Sequence, residues 1–158
     1  MAGYEQLKSV GGGGRYDALA SDGRTTYPGV GVSFGVSRSL IPLLADGVLG
    51  ASRPVPSAVL VAVVDEESRP DSEAVATALR ARDIPCEVAA TAAKFGKQIR
   101  YAERRGIPWV WFPGEPHQVK DIRSGNQVEA DPATWQPPEE DLRPELSTTP
   151  PTTEEQLP

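Results

Sequence analysis

The central stretch of this sequence predicts an α/β fold: a mixed sheet of three parallel strands plus an antiparallel edge hairpin, flanked by helices. Two observations carry that expectation. Between residues 57 and 112, apolar runs alternate with amphipathic helical patterns in the order βαβαβ, which builds parallel strands joined by right-handed crossovers. Beyond them, Ser124-Gly125-Asn126 is a hairpin turn signal between two further short strand candidates.

Taken in order, residues 57–64 (SAVLVAVV) form an unbroken apolar, β-branched run, as expected of a strand buried on both faces. Ser68 offers a cap ahead of Pro70, and Ala74, Val75, Ala78 and Leu79 line one face of a helix ending near Asp83. Residues 85–90 are a second short strand. Thr91 is the candidate cap of a second helix, with Phe95, Ile99 and Ala102 as its inward stripe. Gly106 and Pro108 stop that helix in the usual order. Residues 107–112 (IPWVWF) give the third strand, and 117–122 and 127–130 the hairpin arms.

The flanks differ from this centre. Residues 1–49 combine a polar start, four consecutive glycines at 11–14, a turn-rich stretch at 21–29 and a helical pattern over 33–45. Residues 50–56, with Gly50, Ser52, Pro54 and Pro56, read as a linker to a domain spanning 57–131. Residues 132–158 are acidic and rich in proline and threonine. They are expected to be disordered, because too little apolar surface is available to offset chain entropy. Trp135 is the candidate for packing back.

Charge divides the same way. Between Asp131 and Pro158 the only basic residue is Arg143, against seven acidic ones, which accounts for the whole formal net charge of −6. The rest is neutral overall, so the acidity is no argument against a polyanionic partner. A single cysteine, Cys86, excludes an internal disulfide, and with a single histidine, His117, it excludes a Cys/His zinc site. No metal ligands are therefore assigned. No apolar stretch approaches the roughly 20 residues of a membrane span, and a cytoplasmic location without membrane association is expected.

Val63-Val64-Asp65-Glu66-Glu67 invites comparison with a phosphorylation receiver, but the third strand leads into Trp111-Phe112-Pro113-Gly114 with no acceptor carboxylate. An acidic loop solvating a strand end is the better account. On the second helix, Lys94, Lys97, Gln98, Tyr101, Arg104 and Arg105 fall on the outer faces at three- and four-residue spacing. Basic groups beside an aromatic ring suit phosphates and an unstacked RNA base. Taken alone, the helix reads more simply as a solvated amphipathic one. Lys120 and Arg123 on the hairpin would extend the same surface. A glycine run is most often a flexible loop, yet glycines also let backbone approach a bound nucleotide, and Arg38 on the following helix could pair with a triphosphate.

Two segments carry a family resemblance. GGGRYDAL (12–19) resembles the histidine-site signature of histidyl-tRNA synthetases, and PGVGVSFGVSRSL (28–40) resembles motif 3 of class II aminoacyl-tRNA synthetases, a strand running into a helix. The following domain is similar to the anticodon-binding domain that the histidyl, prolyl, threonyl and glycyl enzymes share. Ala18 and Ser39 depart mildly from the family pattern. The resemblance implies a catalytic role for Arg38 on the ATP phosphates. It implies a histidine and adenylate pocket lined by Gly12, Gly13, Gly14, Arg15 and Tyr16, with Gly29, Gly31 and Gly35 matching the motif 3 glycines of the same substrate and ATP site. It also implies ATP and Mg²⁺ as cofactors, with L-histidine and a histidine-specific tRNA as partners in a homodimeric full-length enzyme.

Motif 1, motif 2 and the second histidine signature have no match here. Residues 1–49 are thus expected to be the last piece of a catalytic domain, in a fragment that cannot activate histidine alone. An RNA-binding module is the leading reading. A non-catalytic accessory or regulatory relative competes with it, but has no need of Arg38. An unrelated small-ligand α/β domain would need a glycine-rich phosphate loop after the first strand, where Asp65-Glu66-Glu67 stands instead.

Overall fold

The computed structural model describes residues 4–19 and 21–149. These residues divide into two compact units, one made of the described residues up to 50 with 148 and 149, the other of residues 51–147.

The larger unit holds the expected sheet. Strand β4 (Val59–Val61) lies parallel to β5 (Cys86–Val88) and to β6 (Trp109–Phe112), and β7 (Gln118–Asp121) and β8 (Gln127–Glu129) continue antiparallel, in the order β5-β4-β6-β7-β8. The unbroken apolar run of β4 follows from burial on both faces. Val59 and Val61 pack with Val75, Ala76 and Leu79 of helix α2 (Arg69–Arg80). Leu60 and Ala62 pack on the other side with Ala102 of helix α3 (Phe95–Arg105) and with Val110. The inward stripe of α2 is Ser72, Val75, Ala76 and Leu79 rather than one including Ala74, and the Ser72 hydroxyl donates to the Ala62 carbonyl at 2.8 Å. Cys86 is half-buried, and burial pushes its thiol pKa up.

Helix α3 starts at Phe95, not at Thr91. The intervening residues are held by groups from elsewhere, since the Ala92 N–H donates to Glu66 at 3.1 Å and the Gln98 amide donates to the Ala93 carbonyl. The helix ends as expected at Gly106, whose φ of 66° is left-handed, and an added Cβ there would lie 3.1 Å from Cβ of Arg53. The acidic loop is spent locally. Asp65 accepts from the Ser68 N–H at 2.8 Å, and Glu66 forms a 2.6 Å ion pair with Arg69.

The expectation of disorder from residue 132 onwards needs correction. The Arg82 guanidinium donates to the carbonyls of Pro132, Thr134 and Trp135 at 3.1, 3.2 and 2.6 Å. Trp135 does pack back, edge-on to Trp109 and Trp111 with ring centroids 5.4 and 5.5 Å away. In helix α4 (Glu139–Leu142), Asp141 is buried and accepts from the Trp109 indole at 2.8 Å and from both terminal nitrogens of Arg123 at 2.8 and 2.7 Å. The Ser52 N–H donates to the Glu145 carbonyl at 2.9 Å. Composition misled because this segment is bound mainly by hydrogen bonds, with Trp135 and Leu142 packed against the core. The unit is entered at β3 (Leu49–Ala51) and left at β9 (Leu146–Thr148). The part of the expected disorder over 150–158 lies outside the described residues.

In the smaller unit, the glycine run is a strand instead of a loop. β1 (Gly11–Tyr16) pairs antiparallel with β2 (Gly29–Phe34), from Gly11↔Phe34 to Tyr16↔Gly29. Gly13 requires its glycine, because a Cβ there would sit 2.2 Å from the Gly31 carbonyl oxygen. β2 runs through Gly35 into helix α1 (Val36–Ala45), where the buried Ser39 hydroxyl donates to the Gly35 carbonyl at 3.0 Å. That bond accommodates a serine at a position where the sequence departs from the family pattern.

Candidate nucleic-acid interface

Helix α3 owes its form to one stripe facing the sheet. Ala102 is fully buried, Ile99 is half-buried, and Phe95 meets Phe112 edge to face at 5.0 Å. The remaining faces place Lys97, Arg100, Tyr101, Arg104 and Arg105 in solvent, with Lys94 exposed at the cap. Among the described residues the ion-paired cations are Arg15, Arg69 and Arg123, so the α3 cations keep their charge uncompensated by a direct salt bridge. Glu103 is the one carboxylate among them on the helix.

Between α3 and the edge strand β5 lies a cleft of about 290 Å³, lined by Glu87 to Thr91, Ala93, Lys97, Gln98, Tyr101 and Arg104, with Leu60 behind. The pairing Leu60↔Glu87 fixes which way Glu87 points: Leu60 belongs to the α3-side cluster, so Glu87 faces α3 as well. Its carboxylate accepts from the Ser57 hydroxyl at 2.8 Å and from the Tyr101 hydroxyl at 2.8 Å. The bond to Glu87 raises the Tyr101 pKa above the usual phenol value, so the phenol stays a donor.

Two expected contact residues are placed otherwise. Gln98 does not lie on an outer face. It is 4% exposed, its amide oxygen accepts from the Val63 N–H at 3.0 Å, and its amide nitrogen donates to the Val63 carbonyl at 2.8 Å. Val63 lies two residues past β4, where no strand pairs with those groups, so Gln98 supplies both. Arg123 is committed to Asp141 and Asp121, and lies 5.8 Å from the Trp109 ring centre. The bond to Asp141 holds its pKa above the ordinary guanidinium value. Lys120 stands opposite Val110 on the α3 side of the sheet, donating to the Gly125 carbonyl at 3.0 Å.

Sequence reasoning missed Glu87 and Ser57. The available signal was a single acidic residue inside an otherwise apolar strand, facing a helix that carries a phenol. In the smaller unit, Arg38 donates to the Ser9 carbonyl at 3.0 Å and Arg15 pairs with Asp17 at 2.6 Å. Gly12, Gly13, Gly14, Arg15 and Tyr16 lie on β1, and Gly29 and Gly31 on β2, with Gly35 at the start of α1. Among the described residues no group of three or more His, Cys, Asp or Glu side chains is placed to hold a metal, and no helix is long and apolar enough to cross a membrane.

Comparison with known proteins fits this geometry. Residues 58–131 match the anticodon binding domain family. The sequence is 60% identical to the histidine–tRNA ligase of Cutibacterium acnes over 91% of this chain, and 53% identical to that of Micrococcus luteus over 93%. In both cases it spans 33% of the relative's length. The crystal structure of histidyl-tRNA synthetase from Nostoc sp. PCC 7120 superposes with a TM-score of 0.51 at 32% identity, covering 83% of this chain and 33% of that one. Residues 58–131 thus match the anticodon binding domain family, and along nine tenths of its length the chain matches one third of a histidine–tRNA ligase.

Proposed function

We propose that this chain is the tRNA-reading part of a histidine–tRNA ligase, with α3 as its RNA-facing element. One observation carries the reading. In a chain of net charge −6, α3 gathers exposed Lys97, Arg100, Arg104 and Arg105 around Tyr101, inside the segment that matches the anticodon binding family. Lysines and arginines at that spacing neutralise successive phosphates, while the ring of Tyr101 offers a stacking face for an unpaired base. Lys94 and Lys120 extend the surface at either side. Gln98 and Arg123 serve the fold instead. The RNA is the anticodon stem-loop of a histidine tRNA.

ATP-dependent attachment of histidine, with Mg²⁺, belongs to a longer cytoplasmic homodimeric protein. There Arg38 is the catalytic candidate. Its single hydrogen bond to a backbone carbonyl leaves other guanidinium donors for phosphate oxygens. The close backbone approach of Gly13 to Gly31 leaves β1 and β2 bare enough to lie against a nucleotide. The 158-residue chain alone forms no histidyl-adenylate.

The test is binding of the 158-residue chain to a histidine tRNA transcript and to one with a scrambled anticodon, across a salt series. Tighter binding to the native anticodon that survives rising salt is the expected result. Equal binding that collapses with salt would reduce α3 to a phosphate-attracting surface and overturn the reading.

A further inference from the structure

We infer that Glu87 is the specificity-determining residue of this interface, its carboxylate reading the paired N–H donors of a guanine base in the cleft between β5 and α3. The inference rests on the anticodon reading above and adds the chemistry that distinguishes bases. A cleft serving phosphates alone has no use for a carboxylate, because the two repel. A carboxylate there finds favourable partners in N–H donors, and the N–H donors an unpaired RNA loop presents lie on base edges.

The geometry prepares Glu87 for two of them. Ser57 and Tyr101 each donate to a different carboxylate oxygen, at 2.8 Å in both cases. Each oxygen accepts two hydrogen bonds, so one site remains on each. Two adjacent acceptors match the N1–H and 2-amino groups of guanine. Adenine and cytosine offer an amino donor beside an acceptor, and uracil a single imino donor between two acceptors. Ala89, Ala90 and Ala93 at the rim leave room for a flat ring, while Lys97 and Arg104 flank it for the backbone. Histidine codons end in pyrimidines after CA, so the anticodon that pairs with them carries guanine at its first and third positions.

The experiment measures binding of the 158-residue chain to RNA stem-loops bearing the histidine anticodon. In companion loops each guanine is replaced in turn by inosine, which lacks the 2-amino group, and one further loop carries a scrambled anticodon. The unaltered chain is expected to lose roughly ten-fold in affinity at one inosine position. Glu87→Gln, nearly isosteric, is expected to bind that inosine loop and the parent equally, with an unchanged salt slope reporting an intact phosphate-binding surface. If Glu87→Gln keeps the discrimination, or if the unaltered chain prefers the native anticodon yet ignores inosine, Glu87 is not the reader and the anticodon reading stands. If the unaltered chain does not separate native from scrambled anticodon, both fall.

Discussion

Valines on β4 and valines on β2 occupy strands of similar apolar character, yet Val59 and Val61 are fully buried while Val30 and Val32 are 86% and 89% exposed. The difference is not local. β4 is sandwiched between α2 and α3 and hydrogen-bonded on both edges, whereas among the described residues β2 has the single strand partner β1. An isolated two-stranded hairpin is marginal in water, because each residue ordered buries little apolar surface. Strand pattern thus announces where apolar side chains can be buried. A covering layer decides whether they are.

The sharpest way to break this comparison is to truncate one side chain in each unit. Leu60→Ala removes a fully buried side chain that packs with Ala102 and Val110, and is expected to cost about 2–5 kcal/mol of unfolding free energy. Val32→Ala, on a side chain 89% exposed, is expected to change it by less than about 0.5 kcal/mol. Urea titrations of both variants decide the matter. A large loss for Val32→Ala would mean that the hairpin is covered in solution.

The next test concerns where the buried unit ends. Asp141 accepts three hydrogen bonds, one from the Trp109 indole and two from Arg123, in a segment that composition alone had assigned to disorder. Asp141→Ala takes away the buried acceptor shared by the half-buried Trp109 indole and Arg123, and a loss of about 1–3 kcal/mol is expected. Asp141→Asn keeps the shape and one acceptor, so a smaller loss is expected from the same denaturation measurement. No change in either would mean that residues 132–147 rest on the domain without stabilising it.

Legibility follows from the kind of signal each element carries. The three parallel strands and α2 and α3 were readable because β4 and the helices repeat their apolar positions over whole elements, and Gly106 and Pro108 mark an end in any context. The hairpin turn at Ser124-Gly125-Asn126 was readable for the same reason. Residues 132–147 were not, because Arg82, fifty residues earlier in the chain than Pro132, supplies the hydrogen bonds that hold them. The glycine run was read as a loop because nothing local distinguishes a loop from a strand whose close neighbour is Gly31. Within α3, helical spacing put Lys97 and Arg104 outside, where they are, and also Gln98, where it is not. The N–H and carbonyl of Val63, two residues past β4, draw Gln98 inward.

Adjacent residues on α3 carry the same contrast between buried and exposed units down to single side chains. Gln98→Ala would strip both hydrogen bonds from the Val63 backbone, at an expected cost of about 1–3 kcal/mol in stability. Lys97→Ala, on the exposed face one residue away, is expected to leave stability within about 0.5 kcal/mol. Its effect belongs to binding: affinity for the anticodon stem-loop falls uniformly across sequences, and the slope of log affinity against log salt becomes shallower by about one. Melting curves and salt-dependent binding on the same two variants separate the roles. A Lys97→Ala variant with an unchanged salt slope would place the phosphates elsewhere than on α3. A Gln98→Ala variant that melts normally but binds weakly would return Gln98 to the interface that helical spacing assigned it.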